Sequence, residues 1–280
     1  MDWHVKPQWG SYSWDKRLFS NPTDAIQNYL KDTENLITLA NIHDDNGVVN
    51  NETQHAAMVK MMHLPSDTKD IPFAICNNQE YALALEDAVL LPVELNGIDY
   101  WWIDWQQGGN HGGCKGLLQN PTIWTNKIRS TDHIRRAAAT AATTSKRGLV
   151  LARWGGLGSH RYQVGFSGDV SGVNWKSLAY QPYFSMTSTN VAYGFWSHDI
   201  VGPGGADMDS LELYTRWLQW ATYSGIFRSH DRGSSGGSCA GKYPPTLTSN
   251  TCTIVKPWNV PLKFFKANRV ALQRRAALIP

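Results

Sequence analysis

Residues 98–105, Ile-Asp-Tyr-Trp-Trp-Ile-Asp-Trp, are a short and mostly apolar run that ends in a carboxylate, Asp104. A strand that is apolar on both faces is typical of a parallel sheet covered by helices. Helical patterns flank this run, over residues 79–95 before it and residues 131–144 after it. The alternation indicates βαβ units around a parallel sheet, with an acidic side chain at the carboxyl end of one strand.

The same alternation continues along the chain. Further helices are predicted over residues 22–33, 175–185 and 262–278 and from residue 209 or 210 onward, and further strands over residues 36–40, 149–152, 191–196 and 226–227. Polar residues gather directly after these strands: His43, Asp44, Asp45, Arg153, His198, Asp199, Arg228, Ser229, His230 and Asp231. A (β/α)8 barrel keeps its active site at that edge, whereas a doubly wound sheet needs a glycine-rich phosphate turn that this sequence lacks. The sequence therefore predicts an α/β fold of the (β/α)8 TIM-barrel class.

The composition is that of a folded protein. Hydrophobic residues make up 42% and charged residues 18% of the 280 positions, which excludes a disordered chain, collagen and a coiled coil. No apolar run approaches the roughly 18 residues that a membrane span needs. The net charge of +3 gives no reason to expect nucleic acid or an anionic membrane as a partner. The length suggests two domains at about 150 residues each, but α/β barrels of about 250 residues fold as one unit, so a single domain over residues 1–280 is equally allowed.

Four cysteines, Cys76, Cys114, Cys239 and Cys252, occur without a CxxC pair or a metal-binding spacing. The last two bracket a loop rich in Gly, Ser, Pro and Thr, and in a secreted protein they would suit a disulfide. Residues 51–53, Asn-Glu-Thr, have the pattern of an N-glycosylation acceptor. These features leave the cellular compartment open.

Aromatic and acidic residues point to a sugar as the ligand. Trp is the commonest aromatic residue, with 13 copies, and a pocket edged with indole rings and polar groups suits a sugar. For Trp101 and Trp196 the prediction is a place in the core. Asp104 and Asp169 supply the two carboxylates that glycoside hydrolysis needs; the alternative for such a pair is one turn cap and one salt bridge.

Several segments of the chain stand in an order that is found in one enzyme family. They are WID at residues 102–104, RWGGLGSHRYQVGFSGD at 153–169, WSHDI at 196–200, ELYTRW at 212–217 and FRSH at 227–230. The second segment closely resembles the acid/base segment of glycoside hydrolase family 31, the α-glucosidase family, and the first resembles that family's nucleophile motif. The resemblance covers essentially the whole chain. It implies an α-glucosidase-like glycosidase that acts by the retaining mechanism on a (β/α)8 barrel.

The resemblance also implies a role for each matching residue. Asp104 would be the nucleophile that forms a glycosyl ester, and Asp169 the acid that protonates the leaving oxygen and later deprotonates water. The residues that would bind the sugar are Trp102, Arg161, Phe166, Asp199, Arg228 and His230. A retaining mechanism predicts a separation of about 5 to 5.5 Å between the two carboxyl groups.

Opposite protonation states are expected for the two carboxyl groups. Arg161 and hydroxyl donors would keep Asp104 ionised, whereas Asp169 needs a drier setting to stay protonated. The resemblance implies no cofactor and no metal, and the expected partner is an α-glycoside or oligosaccharide.

The chain departs from the family pattern at several points. Trp105-Gln106-Gln107 follows the nucleophile motif, where Met-Asn-Glu is commoner, and Phe166 replaces a tryptophan; these changes concern the sugar preference and not the reaction type. The family's first strand, most of its second strand and its eighth strand have no counterpart here. The resemblance therefore predicts an incomplete barrel, truncated at both ends and belonging to a parent chain with further domains.

Three other functions stay open. A metal-dependent hydrolase would use His43, His198 and His230 with the aspartate that follows each of them, but the chain has no His-x-His. A non-catalytic fragment or sugar-binding homologue would bind a sugar without turnover, and an α-transglycosylase would pass the same intermediate to a sugar instead of water. For single residues, the alternatives are an ion pair of Arg228 with Asp199 and a purely structural histidine at position 230.

Overall fold

The structure, a computed structural model, describes residues 3–4, 10–104, 121–139, 148–153, 155–162, 164–168, 174–193, 195–199 and 211–228. The chain divides into two compact units, residues 1–164 and residues 165–280. Each unit is built from strands that alternate with helices, as the sequence pattern predicts.

In the part of it that the structure describes, the first unit contains three strands among its helices. Its elements are, in chain order, a π-helix (Asp24–Thr33), β1 (Leu39–Ile42), a 3-10 turn (Asp44–Asn46), α1 (His55–Met61), α2 (Gln79–Ala84), a second π-helix (Leu85–Leu90), α3 (Leu91–Glu94), β2 (Tyr100–Ile103), α4 (Pro121–Ala139), β3 (Val150–Ala152) and a 3-10 turn (Ser159–Arg161). Asn78 caps α2, because its side chain accepts a hydrogen bond from the N–H of Tyr81.

The three strands of the first unit are parallel and lie in sequence order. Ile103 of β2 lies opposite Ile42 of β1 on one side and opposite Ala152 of β3 on the other. Parallel strands end at the same edge, so the residues that follow them directly come together there. These residues are His43, Asp104 and Arg153.

Large apolar side chains fill the core of this unit. Those with almost no exposure include Trp3, Tyr12, Ile26, Ile42, Met58, Ile75, Tyr81, Leu85, Leu90 and Trp101. The predicted core position of Trp101 is confirmed at 1% exposure.

A buried ion-pair cluster joins the helices of the first unit. Arg129 of α4 pairs through Nε with Glu86 Oε1 at 2.7 Å and through Nη2 with Asp44 Oδ2 at 3.1 Å. The Tyr12 hydroxyl donates to Asp44 Oδ1 at 3.1 Å. Burial raises the pKa of Glu86 to about 7, although the adjacent Arg129 opposes that rise. One guanidinium thus contacts two carboxyl groups that water does not reach.

The second unit, in its described part, contains β4 (Val164–Phe166), which begins at the last residue of the first unit, α5 (Trp175–Thr189), β5 (Trp196–Ser197) and α6 (Leu211–Thr222). Strands β4 and β5 are parallel, with Gly165 opposite Trp196 and Phe166 opposite Ser197. A Cβ atom at position 165 would lie 2.2 Å from Cζ3 of Trp196, so only glycine fits there. Trp196, predicted in the core, is half-buried.

Helix boundaries differ from the predicted ones in the first unit. Helix α4 begins at Pro121 rather than at residue 131; an asparagine precedes this proline, the same start signal that Asn21-Pro22 gives. The predicted helix over residues 79–95 is present, but its middle turn is a π-helix. Helix α1 was not predicted.

Strand boundaries differ as well. Strand β1 begins at Leu39 rather than at residue 36, and Leu36 and Ile37 are exposed. The strand predicted over residues 191–196 is reduced to Trp196–Ser197, because Ala192 lies in a turn with φ at 67°. The strand predicted over residues 226–227 is a single parallel bridge from Ile226 to Ser197.

Two further observations bear on the environment of the chain. Cys76 is disulfide-bonded, whereas Cys239, Cys252 and the helix predicted over residues 262–278 lie outside the described residues. Within the part that the structure describes, no helix is long and apolar enough to cross a lipid bilayer.

Candidate active site

Strand β2 divides its side chains between two faces. Trp101 is buried, and its Nε1 donates to Glu94 Oε1 of α3 at 2.8 Å, so this face packs against the helices. Because side chains alternate along a strand, Trp102 and Asp104 share the opposite face. Trp102 is half-buried and the Asp104 side chain is 13% exposed. An aromatic ring and a carboxylate are thereby presented together at the carboxyl end of β2.

Arg153 is the charged partner of Asp104. It follows β3 directly, and its N–H donates to the carbonyl oxygen of Ile103 at 3.2 Å. Its Nη1 lies 3.4 Å from Asp104 Oδ1, and its side chain is 15% exposed. The guanidinium of Arg153 is thus a positive charge that faces the Asp104 carboxylate.

Arg161, which the resemblance assigns to the site, has different contacts. It ends the 3-10 turn Ser159–Arg161 and is exposed; its Nε donates to the carbonyl oxygen of Gly158 at 3.3 Å. Its guanidinium lies 5.6 Å from the ring centre of Tyr162. The structure therefore brings Arg153, rather than Arg161, to Asp104. Sequence reasoning noted Arg153 only as a polar residue after a strand, because that position does not reveal where a long side chain points.

In the second unit, Asp199 and Arg228 form an ion pair beside Phe166. The Asp199 side chain is fully buried, and its Oδ1 contacts Nη1 of Arg228. The guanidinium carbon of Arg228 lies 5.0 Å from the ring centre of Phe166, a cation–π distance. This ion pair is the alternative that the sequence left open for Arg228. Acceptor and donor groups side by side also match the hydroxyls of a sugar.

Two neighbours fix the position of Asp199. Ser167 Oγ accepts a hydrogen bond from its N–H at 3.0 Å. The ring of His198 is buried, with Nδ1 at 2.6 Å from Gln181 Oε1 and Nε2 at 3.3 Å from Ser185 Oγ. An amide oxygen can only accept, so Nδ1 carries the proton and Nε2 accepts from the hydroxyl. Burial lowers the pKa of His198 to about 4, so this ring is neutral at neutral pH.

The His198→Gln variant is expected to lose less stability in acid than the native chain. Between the usual histidine pKa of 6.5 and the folded value of about 4, the unfolded chain binds a proton that the folded chain does not. The free energy of unfolding therefore keeps its full value above this pH window. It falls as the pH decreases through the window, by up to about 3 kcal/mol. Urea unfolding of both proteins at pH 7 and near pH 4 measures the difference.

A matched control uses His63, which is exposed and has a left-handed backbone, φ 53°, that asparagine tolerates. His63→Asn should keep the pH dependence of the native chain. An equal loss of stability in all three proteins would contradict the prediction.

The side chains that a metal-dependent hydrolase would need do not gather in the described ranges. Among those residues, no group of three or more His, Cys, Asp or Glu side chains could hold a metal ion. Asp44 pairs with Arg129, and His198 bonds to Gln181. The Asp44 and His198 side chains of these motifs thus make other contacts here.

Two residues of the predicted site, Asp169 and His230, lie outside the described residues. Gly168 is described, and its φ of 73° is in the left-handed region that favours glycine. The roles of Asp169 and His230, and the separation of the two carboxyl groups, stay predictions.

Comparison with known proteins matches the whole chain to one family of protein domains. Residues 1–280 match the family described as the glycosyl hydrolases family 31 TIM-barrel domain. The chain is 29% identical to Alpha-xylosidase A of Aspergillus niger over an alignment of 121 positions, which covers 38% of this chain and 16% of that protein.

Solved structures show the same fold. A family 31 dextranase from Flavobacterium johnsoniae complexed with glucose has a TM-score of 0.67 and 18% identity, over 95% of this chain and 35% of its own. A family 31 α-xylosidase from Xanthomonas citri has a TM-score of 0.61 and 16% identity, over 82% of this chain and 28% of its own. The chain thus spans about a third or less of these relatives. The predicted α/β barrel class is confirmed, and the five described strands are fewer than the eight of a closed barrel.

Proposed function

Because the chain belongs to family 31 of the glycosyl hydrolases, we propose that it hydrolyses α-glycosidic bonds with retention of configuration. In the first step, a carboxylate oxygen of Asp104 bonds to the anomeric carbon while the glycosidic C–O bond breaks. Asp169 gives its proton to the departing oxygen. In the second step, Asp169 takes a proton from water, whose oxygen displaces Asp104 from the anomeric carbon.

One observation carries this proposal: the carboxylate of Asp104 stands at the carboxyl end of β2, on the face of Trp102 and 3.4 Å from Arg153. The three features support a nucleophile in a sugar site. The position is the edge that barrels use for catalysis, the guanidinium makes a charge-assisted contact with the carboxylate, and the indole offers an apolar surface to the C–H face of a sugar.

In this proposal, Asp199 and Arg228 bind sugar hydroxyls, and Phe166 forms part of the apolar wall. The buried carboxylate of Asp199 is a hydrogen-bond acceptor, and the guanidinium of Arg228, whose side chain is 16% exposed, is a hydrogen-bond donor. Arg161 and His230 are proposed to bind the sugar on the strength of the resemblance alone.

The proposed substrate is an α-glucoside, and an α-xyloside is the second candidate. The glucoside follows from the resemblance of residues 102–104 and 153–169. The xyloside is favoured by the 29% identity with Alpha-xylosidase A. The two sugars differ by the hydroxymethyl group at C5, so the choice depends on the part of the pocket that faces that carbon.

Mechanism-based labelling tests the function and the sugar preference together. The chain is incubated separately with 5-fluoro α-glucosyl fluoride and 5-fluoro α-xylosyl fluoride, which trap the ester of a retaining enzyme, and is then mapped by peptide mass. The expected result is a label on the peptide that carries Asp104, from the glucosyl reagent. A label from the xylosyl reagent alone would select the second candidate.

A label elsewhere would contradict the role of Asp104. Absence of any label, in a chain that unfolds cooperatively and binds the free sugar, would favour a non-catalytic sugar-binding protein. With an active chain, products formed in the presence of an added sugar acceptor distinguish hydrolysis from transglycosylation.

The Arg153→Met variant is expected to lose roughly 10²-fold in kcat/KM, the usual consequence of removing one electrostatic group from an active site. The methionine keeps the length and apolar volume of the side chain but removes the charge beside Asp104. Steady-state kinetics on an aryl α-glycoside measure the loss. Arg17→Met is the matched control, because the Arg17 side chain is 79% exposed. Equal kcat/KM values for the two variants would contradict the role of Arg153.

A further inference from the structure

A turn of the first unit presents Asn51 to solvent on a fixed backbone. The carbonyl oxygen of Val49 accepts a hydrogen bond from the N–H of Glu52 at 3.1 Å, so Asn51 is the third residue of a four-residue turn, and it is exposed. Before the turn, Val48 forms two backbone hydrogen bonds with Ile71, at 2.8 and 2.9 Å.

The residue after Asn51 anchors the turn from the other side. The carboxylate of Glu52 is buried and accepts from the N–H of Tyr12 at 2.8 Å and from the hydroxyl of Ser13 at 2.7 Å. Thr53 is exposed, and its N–H donates to Ser13 Oγ at 3.1 Å. The side chain between these anchored residues is therefore accessible while its backbone is held.

The sequence restricts N-linked modification to this turn. Asn-X-Ser/Thr is an acceptor only when X is not proline. The chain contains three Asn-X-Ser/Thr triplets, at residues 21–23, 51–53 and 120–122, and the first and last have proline in the middle. Asn51 is thus the eligible asparagine.

The oxidised state of Cys76 is an independent sign of the compartment. Structural disulfides persist in secreted proteins and in the endoplasmic reticulum and are rare in the cytosol, and Cys76 is disulfide-bonded. N-linked oligosaccharides are added along the same secretory route, to surface positions where the bulky sugar meets water.

From these observations we propose that Asn51 carries an N-linked oligosaccharide. The amide nitrogen of Asn51 bonds to the anomeric carbon of an oligosaccharide that a polyprenyl diphosphate donor supplies. The bond from that carbon to the diphosphate oxygen breaks, the amide gives up one proton, and the polyprenyl diphosphate leaves. The modification adds a hydrophilic group to the turn and is independent of the proposed glycosidase activity.

The test is secretion of the chain from a yeast host. Its intact mass and peptide map are then measured before and after treatment with an amidase that releases N-linked oligosaccharides from asparagine. The expected result is a mass that falls on treatment, with the sugar on the peptide that carries Asn51. Asn51→Gln and Thr53→Ala should abolish the mass shift, whereas Thr53→Ser should keep it because serine retains the hydroxyl.

Asn50→Gln is the matched control, since Asn50 is also exposed and has no hydroxyl residue two positions later. This variant should keep the sugar. A secreted native chain with Cys76 oxidised and Asn51 unmodified would overturn the proposal, and so would a mass shift that survives in Asn51→Gln.

Discussion

The Asp104→Asn variant is expected to lose turnover by roughly 10⁵-fold, the order of magnitude that follows removal of a covalent nucleophile. Asparagine has the shape of aspartate but lacks the negative charge, so the ester with the anomeric carbon no longer forms. The measurement is kcat on whichever aryl α-glycoside the native chain hydrolyses, together with thermal unfolding to show that the fold is kept. Asp67→Asn serves as the control, because Asp67 is exposed.

Chemical rescue with azide provides a second test of the role of Asp104. In Asp104→Gly, the missing side chain leaves space for azide, which is expected to restore cleavage of an activated substrate and to yield the β-glycosyl azide. That product forms only when azide attacks from the side that Asp104 normally occupies. Native-like turnover in Asp104→Asn, or an azide product of α configuration, would contradict the assignment of Asp104 as the nucleophile.

The Arg129→Met variant is expected to lose about 3 to 5 kcal/mol of the free energy of unfolding, because breaking a buried ion pair leaves charge without compensation. Asp44 and Glu86, which Arg129 contacts at 3.1 and 2.7 Å, are almost completely buried. Urea unfolding at neutral pH measures the loss. Arg216→Met, at an arginine that is exposed together with its ion-pair partner Glu212, is expected to change the free energy of unfolding by less than about 1 kcal/mol.

A second variant separates charge from packing at this cluster. In a Glu86→Gln background, Arg129→Met is expected to cost less, since one of the two buried charges is already absent. The loss in Arg129→Met should also grow as the pH rises through about 7, where Glu86 gives up its proton. A loss that is the same in both backgrounds and at every pH would show that the methionine disturbs packing alone.

The place of Asp104 was predictable from sequence because its signal is local. An apolar run that ends in a carboxylate, between two helical patterns, identifies the strand, its direction and the edge at which the side chain lies. The same reasoning found Arg153 as a strand-end residue. It gave Arg153 no role, because the 3.4 Å contact with Asp104 depends on the pairing of β2 with β3.

Sequence periodicity could not predict contacts between residues that are far apart in the chain. Arg129 meets Glu86 across 43 positions and Asp44 across 85 positions of the chain, and no local pattern encodes such partners. The start of α4 at Pro121, in contrast, carried a local signal that the apolar pattern of residues 131–144 obscured. The π-helical turn over Leu85–Leu90 has no simple sequence signature.

The alternation of faces along β2 makes this strand intolerant of a change in length. Trp101 binds Glu94 on the helix side, while Trp102 and Asp104 share the other face. Inserting or deleting one residue within β2 would turn every following side chain to the opposite face, so that the carboxylate of Asp104 would point into the apolar layer. Variation at this strand is therefore confined to substitutions that preserve its residue count, and a combinatorial library for altered sugar preference should diversify residue identity there and leave length variation to other segments.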